Sequence, residues 1–88
     1  MANIEDCIDD IKQVLAFGAS KGYEPESWRD TKKPCNQHLA KSIGHLAKSM
    51  AAEFDGESGL PHLQHALCRV AMAWTNYKTE SEVENGTW

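Results

Sequence analysis

The chain has 88 residues and a net charge of −4, with 9 Lys plus Arg against 13 Asp plus Glu; 41% of its residues are hydrophobic and 25% charged. That length and composition describe one folded globular domain, not two domains and not a disordered chain. The acidic balance argues against binding a nucleic-acid polymer, which calls for a basic surface, but leaves room for a single nucleotide.

A domain this short buries a modest core, which predicts homo-oligomerisation. No apolar run approaches the roughly 20 residues that span a bilayer. Residues 1–10 are acidic and lack the basic-then-apolar order of a signal peptide, so the expected location is the cytoplasm, with no membrane partner. Cys7, Cys35 and Cys68 are odd in number, far apart and form no Cys-x-x-Cys pair. Reduced, partly buried thiols are expected of them.

In chain order, Ile4, Cys7 or Ile8, Ile11, Val14 or Leu15, and Ala19 recur at helical spacing and predict a first helix over 3–20. Asn3 is its expected N-cap, and Glu5, Asp6, Asp9 and Asp10 suit the positive end of its dipole. Gly22 is the stop signal. Residues 21–33 read as a loop, in which Tyr23 and Trp28 either pin the segment to the core or wall a pocket. A second helix is expected from Pro34 to about Phe54, with Leu39, Ile43, Leu46 and Met50 as its core stripe. His38, Ser42, His45 and Ser49 follow one flank at the edge of that stripe. Residues 53–59, with two glycines among acids, form a turn. A third helix is expected from Leu60–Pro61 to about Lys78, capped by Ser58, with Leu63, Leu67, Val70, Trp74 and Tyr77 facing the core. Glu80, Glu82 and Glu84 stand in a stretch with no apolar period, which predicts a mobile acidic tail over 80–88 beyond a single helical domain over 1–79. The expected fold is all-α: a small antiparallel bundle of about three main helices.

Polar residues converge on the second turn. It offers Glu53, Asp55 and Glu57, and the next helix opens with His62 and His65, followed on the same face by Arg69. A short connection between antiparallel helices would bring these close to His45. Carboxylates suit Mg²⁺ or Mn²⁺, imidazoles suit Mn²⁺ or Zn²⁺, and a bound divalent ion draws in phosphates and lowers the pKa of an attacking water. Arg69, with Lys41 or Lys48, adds positive charge for a phosphate. The plain alternative is structural: Ser58 and Glu57 cap a helix, and the histidines satisfy loop carbonyls or the edge of the core. The spacing matches no standard metal motif.

The run Asp55-Gly56-Glu57-Ser58-Gly59-Leu60-Pro61-His62-Leu63-Gln64-His65-Ala66 resembles the signature of a phage-borne family, the dATP/dGTP diphosphohydrolase N-terminal domain, in which Asp-x-Glu-Ser-Gly-Leu-Pro-His-Leu-x-His-Ala is typical. Phe17-Gly18-Ala19-Ser20-Lys21-Gly22-Tyr23, Ser27-Trp28-Arg29 and Gly44-His45-Leu46 are similar to further family segments. The family looks related to the MazG-like, all-α nucleoside triphosphate pyrophosphohydrolases. The resemblance implies hydrolysis of a purine deoxynucleoside triphosphate to monophosphate and pyrophosphate, with Mg²⁺ or Mn²⁺. It draws attention to His45, Asp55, Glu57, His62 and His65 as metal ligands, with Glu57 and His62 catalytic. Trp28 and Arg29 would contact substrate, joined by Arg69. Two departures stand out: Ala51-Ala52 replaces a Gly-Glu pair, and the paired Glu-Glu-x-x-Glu and Glu-x-x-Asp helices of MazG proteins are absent. They motivate a second reading, a catalytically weak or inactive module that holds a nucleotide or a host protein, for example a host defence protein. In a third reading the motif only builds a helix junction.

Overall fold

A computed structural model describes residues 2–24, 26–29 and 35–85. Three helices follow in order, α1 (Asp6–Ser20), α2 (Cys35–Ser49) and α3 (His62–Asn85), with a 3-10 turn at Ser27–Arg29 between the first two. Among the described residues there is no strand, only an isolated bridge between Phe54 and Pro61. No helix is long and apolar enough to cross a membrane.

Helix α1 begins later than expected, and Asn3 does not cap it. Instead Asp6 reaches back, its Oδ2 accepting the Asn3 backbone N–H at 2.9 Å, which is one half of a capping box. The stop at Gly22 is as expected. Gly22 N–H bonds to Ala19 O at 3.0 Å and Tyr23 N–H to Gly18 O at 3.3 Å, with Gly22 at φ 91°. This bond pair needs a left-handed residue, which glycine adopts without steric cost.

Helices α1 and α2 both pack on α3, and α1 and α2 do not approach each other. Helix α2 stops at Ser49, short of the expected Phe54, and Pro34 lies outside the described residues. Helix α3 begins at His62, where the Pro61 carbonyl accepts from Gln64 and His65 N–H at 3.0 and 3.3 Å. Ser58 is therefore not its N-cap. At the other end α3 continues to Asn85, past the expected stop near Lys78. Apolar period reports burial, not helicity; the glutamates of this stretch are good helix formers in their own right. Residues 86–88, Trp88 included, lie outside the described residues.

The larger correction concerns which faces meet. The expected core stripes of both helices lie outside: Ile43 is 65% exposed, Leu63 62% and Trp74 60%, with Leu39, Leu46, Met50, Val70 and Tyr77 also exposed. The seam between α2 and α3 is formed by the polar flank. His38 and Ser42 are 3% and 2% exposed, against buried His62, His65, Ala66, Cys68, Ala73 and Asn76 of α3. The physical reason is local satisfaction. Short side chains let the helices close up, and Ser42 Oγ–H donates to the Ala66 carbonyl at 3.3 Å, so the polar flank carries its own partners inward. The displaced apolar residues share one side of the pair. Leu46, Leu63, Leu67 and Val70 line one hollow there, and Leu39, Val70, Trp74 and Tyr77 another. Cys68, fully buried at the seam, is a free thiol that burial pushes up to about 11; Cys7 and Cys35 are half-buried free thiols.

Two glycines should respond oppositely to alanine. Gly44 sits within α2 with no neighbour in the space a Cβ would fill, so Gly44→Ala should stabilise by up to about 1 kcal/mol. Gly59 has equal room but φ 74°, so Gly59→Ala should destabilise by about 1–2 kcal/mol. Urea unfolding midpoints check both.

Candidate metal centre

The junction between α2 and α3 is built by one carboxylate. Asp55 Oδ1 accepts the backbone N–H groups of Glu57 at 3.0 Å and Ser58 at 2.8 Å, tying the turn to its own first residue. Backbone bonds close the loop around it: Asp55 N–H to Leu60 O, Gly59 N–H to Asp55 O and His62 N–H to Glu53 O, each 2.8 Å. Phe54 and Pro61 face each other across it. The last of these bonds fixes where α3 starts, and so where His62 sits.

Oδ2 of the same carboxylate lies 3.9 Å from His62 Nδ1. His62 Nδ1 in turn lies 3.1 Å from His45 Nδ1, which α2 brings in from the other side of the seam. One ligand atom each from His45, Asp55 and His62 therefore falls within 4.8 Å of the others. Two nitrogens bound to one ion at about 2.1 Å stand roughly 3–3.4 Å apart, so the two imidazoles are already spaced as a pair of ligands. Two imidazoles and a carboxylate favour a borderline divalent ion such as Mn²⁺ or Zn²⁺ over Mg²⁺, which prefers oxygen alone.

The other expected ligands stand beside this trio. His65 stacks on His45 with ring centroids 4.7 Å apart and meets the Phe17 ring edge-on at 6.2 Å. Its Nε2 hydrogen-bonds Ser58 Oγ at 2.6 Å, and Ser58 Oγ accepts Leu60 N–H at 3.1 Å. His65 thus buttresses His45. A serine just before a helix reads as a cap, so the spacing alone does not announce this bond. Glu57 is not among the three clustered ligands and forms an exposed ion pair with Lys21 at the end of α1, a partner nothing in the spacing announced. The salt link raises the Lys21 pKa.

The expected substrate residues lie further along the seam. Trp28 is half-buried, and its carbonyl accepts Asn76 Nδ2–H at 2.9 Å and contacts His38 Nε2 at 3.0 Å. The loop is thus pinned through its backbone as well as by its ring. Arg29 lies 4.3 Å from the Trp28 ring centroid and pairs with Glu26. Arg69 is half-buried, with Nη1 3.2 Å from His38 Nδ1.

Burial pushes His45 below the ordinary imidazole value, helped by the charges of His65 and His62 and opposed by Asp55. Burial lowers His65 too, against the pull of Asp55. The Ser58 and Glu57 backbone N–H groups hold the Asp55 carboxyl below its usual range. Because the two histidines stay neutral when folded, the unfolded chain binds protons first as pH falls through 6.5. With a chelator present, the melting temperature should be level above about pH 7 and fall as pH drops below 6.5 toward the folded-state values. The lowered Asp55 pKa adds a loss only at more acid pH, below 3.8. A melting temperature constant or rising down to about pH 5 would contradict this assignment.

No curated protein and no solved structure matches the chain. One family model does: dATP/dGTP diphosphohydrolase, N-terminal, over residues 5–85. That span takes in all three helices, the turn that gathers His45, Asp55 and His62, and the Trp28 loop. The chain belongs to the dATP/dGTP diphosphohydrolase N-terminal domain family.

Proposed function

We propose that this domain holds a divalent cation on His45, Asp55 and His62 and hydrolyses a purine deoxynucleoside triphosphate to monophosphate and pyrophosphate. The observation that carries the proposal is the gathering of the three ligand atoms within 4.8 Å at the family's most specific motif. The bound ion would supply charge neutralisation for the phosphates and a more acidic water. His65 keeps the His45 ring in place, and Glu57, exposed on the same turn, is the carboxylate that takes up a proton from water. The pairing of His38 with Arg69, Ser42 with Ala66 and His45 with His62 supports antiparallel packing of α2 against α3. A cytoplasmic location fits such a substrate.

One observation favours the second reading, a module that binds a nucleotide or a host protein without turnover. The trio contains a single carboxylate, and Glu57 is engaged by Lys21. Incubation with dGTP or dATP and Mn²⁺ or Mg²⁺ decides between them. Turnover should appear with metal and vanish with chelator. Asp55→Asn and His62→Ala should each lower it by at least the roughly 10–100-fold that losing a support of a metal site costs. Metal and nucleotide that raise the melting temperature without turnover would favour the binding module. Turnover indifferent to both substitutions would overturn the metal assignment.

The domain works as a homo-oligomer in this proposal. Among the described residues the buried apolar ones are Ala66, Cys68, Met72 and Ala73, a small core. The apolar side of α2 and α3 is continuous through Val70, which lines both hollows, and among the described residues Asp10 of α1 is the one charged group at their rim. A surface needed for the fold to persist calls for an occupant present whenever the chain is, and a second copy meets that condition. Light scattering should give a mass above that of one chain, and Ile43→Glu should shift it toward the monomer. A wild-type monomer at high concentration would refute self-association.

A further inference from the structure

On the opposite flank of α2 from the apolar side, Lys41 joins the seam residues His38 and Arg69 and the Trp28 loop around a cavity of about 290 Å³. Tyr23 and Gln37 complete most of its wall, and among the described residues no Asp or Glu lines it. In a chain of net charge −4, the described lining of this hollow carries two permanent cations and no acid.

Arg69 is half-buried, yet among the described residues it pairs with no carboxylate. Its Nη1–H donates to His38 Nδ1 at 3.2 Å, and Nη1 lies 4.0 Å from Met72 Sδ. Because a guanidinium only donates, His38 Nδ1 must be the acceptor; its Nε2–H then donates to the Trp28 carbonyl at 3.0 Å. Asn76 Nδ2–H donates to the same carbonyl at 2.9 Å. A chain of bonds from α3 through α2 to the loop therefore holds the guanidinium in place. Withdrawing a cation from water is costly without a counter-charge, and the described residues supply Arg69 no carboxylate.

We propose that this pocket, with Arg69 and Lys41 as its cationic groups and His38 as a positioning residue, binds an oligophosphate anion. Size narrows the class. The volume is roughly that of ten water molecules and falls at the small end of ligand pockets. A pyrophosphate or the phosphate tail of a nucleotide fits, whereas a whole nucleotide would extend beyond it. His38 lies two helical turns from His45, about 10 Å along α2, so the pocket is separate from the metal trio. The inference goes beyond the hydrolase reading, since the pocket would bind its anion whether or not turnover occurs.

The test is titration calorimetry with inorganic pyrophosphate and EDTA at low ionic strength. Saturable one-site binding is expected. Arg69→Gln should weaken it by about 10-fold or more, the scale of a lost charge-assisted hydrogen bond. Lys41→Glu should also weaken it; Lys41 is exposed, so this variant keeps the test alive if Arg69→Gln fails to fold. Lys12→Glu on α1 and His62→Ala at the metal trio should leave it unchanged. dGTP competing for the same residues identifies the phosphate tail as the ligand, and pyrophosphate binding with dGTP excluded identifies the free anion. Absence of saturable binding, equal loss in Lys12→Glu, or loss in His62→Ala but not in Lys41→Glu overturns the proposal. Pyrophosphate binding without dNTP turnover leaves this site standing and removes only the hydrolase reading.

Discussion

The divided duty of the Asp55 carboxylate is the constraint on which the rest depends. One oxygen is spent on two backbone N–H groups of its own turn, and the other faces His62. The turn is short because Oδ1 closes it, α3 starts at His62 because the turn closes there, and His62 meets His45 because of where α3 starts. A carboxylate that only capped the turn would build the junction without chemistry. One that only faced the histidines would be a ligand with nothing to position it. The same acid also keeps its proton off more readily than usual, because the backbone donors favour its charged form.

The seam beyond the turn shows a related economy. His38, Ser42 and His45 point into the helix pair, where apolar residues would ordinarily be expected, and each has a partner there. A polar interior of this kind is tolerable only when satisfied, and among the described residues no buried side-chain nitrogen or oxygen lacks a hydrogen bond. The apolar residues that would have formed the core are thereby displaced to one outer side, and the domain is left short of buried hydrocarbon. The polar seam and the uncovered apolar side are therefore two consequences of one choice of packing face.

Helix existence was legible in the residues, as were the Gly22 stop and the turn at 53–59. Periodicity located the apolar stripes of α2 and α3 correctly on each helix but could not say what covers them. Leu39, Ile43, Leu63 and Trp74 are a coherent face in the sequence and an uncovered one in the structure. The helical stretch beyond Lys78 is not legible in the sequence because it carries no apolar period, although the backbone remains helical. At the site, His45, Asp55 and His62 emerged from type and spacing, and the structure brings them together. The diversion of Glu57 to Lys21 was invisible, since it depends on where α1 ends relative to a turn 36 residues later. The bond of Ser58 to His65 was hidden for a simpler reason: a serine before a helix reads as a cap, and here its hydroxyl serves a ring seven residues on.

Cys68 turns the packing of this seam into a clock. Its sulfur has no solvent exposure and its proton is held tightly, so a thiol reagent in bulk water finds neither access nor thiolate while the helices are closed. Modification must wait for α3 to part from its neighbours, and the rate then counts openings of the domain, not encounters at its surface. Half-buried Cys7 and Cys35 supply faster-reacting references within the same molecule, so a single labelling time course separates breathing of the seam from ordinary surface reactivity.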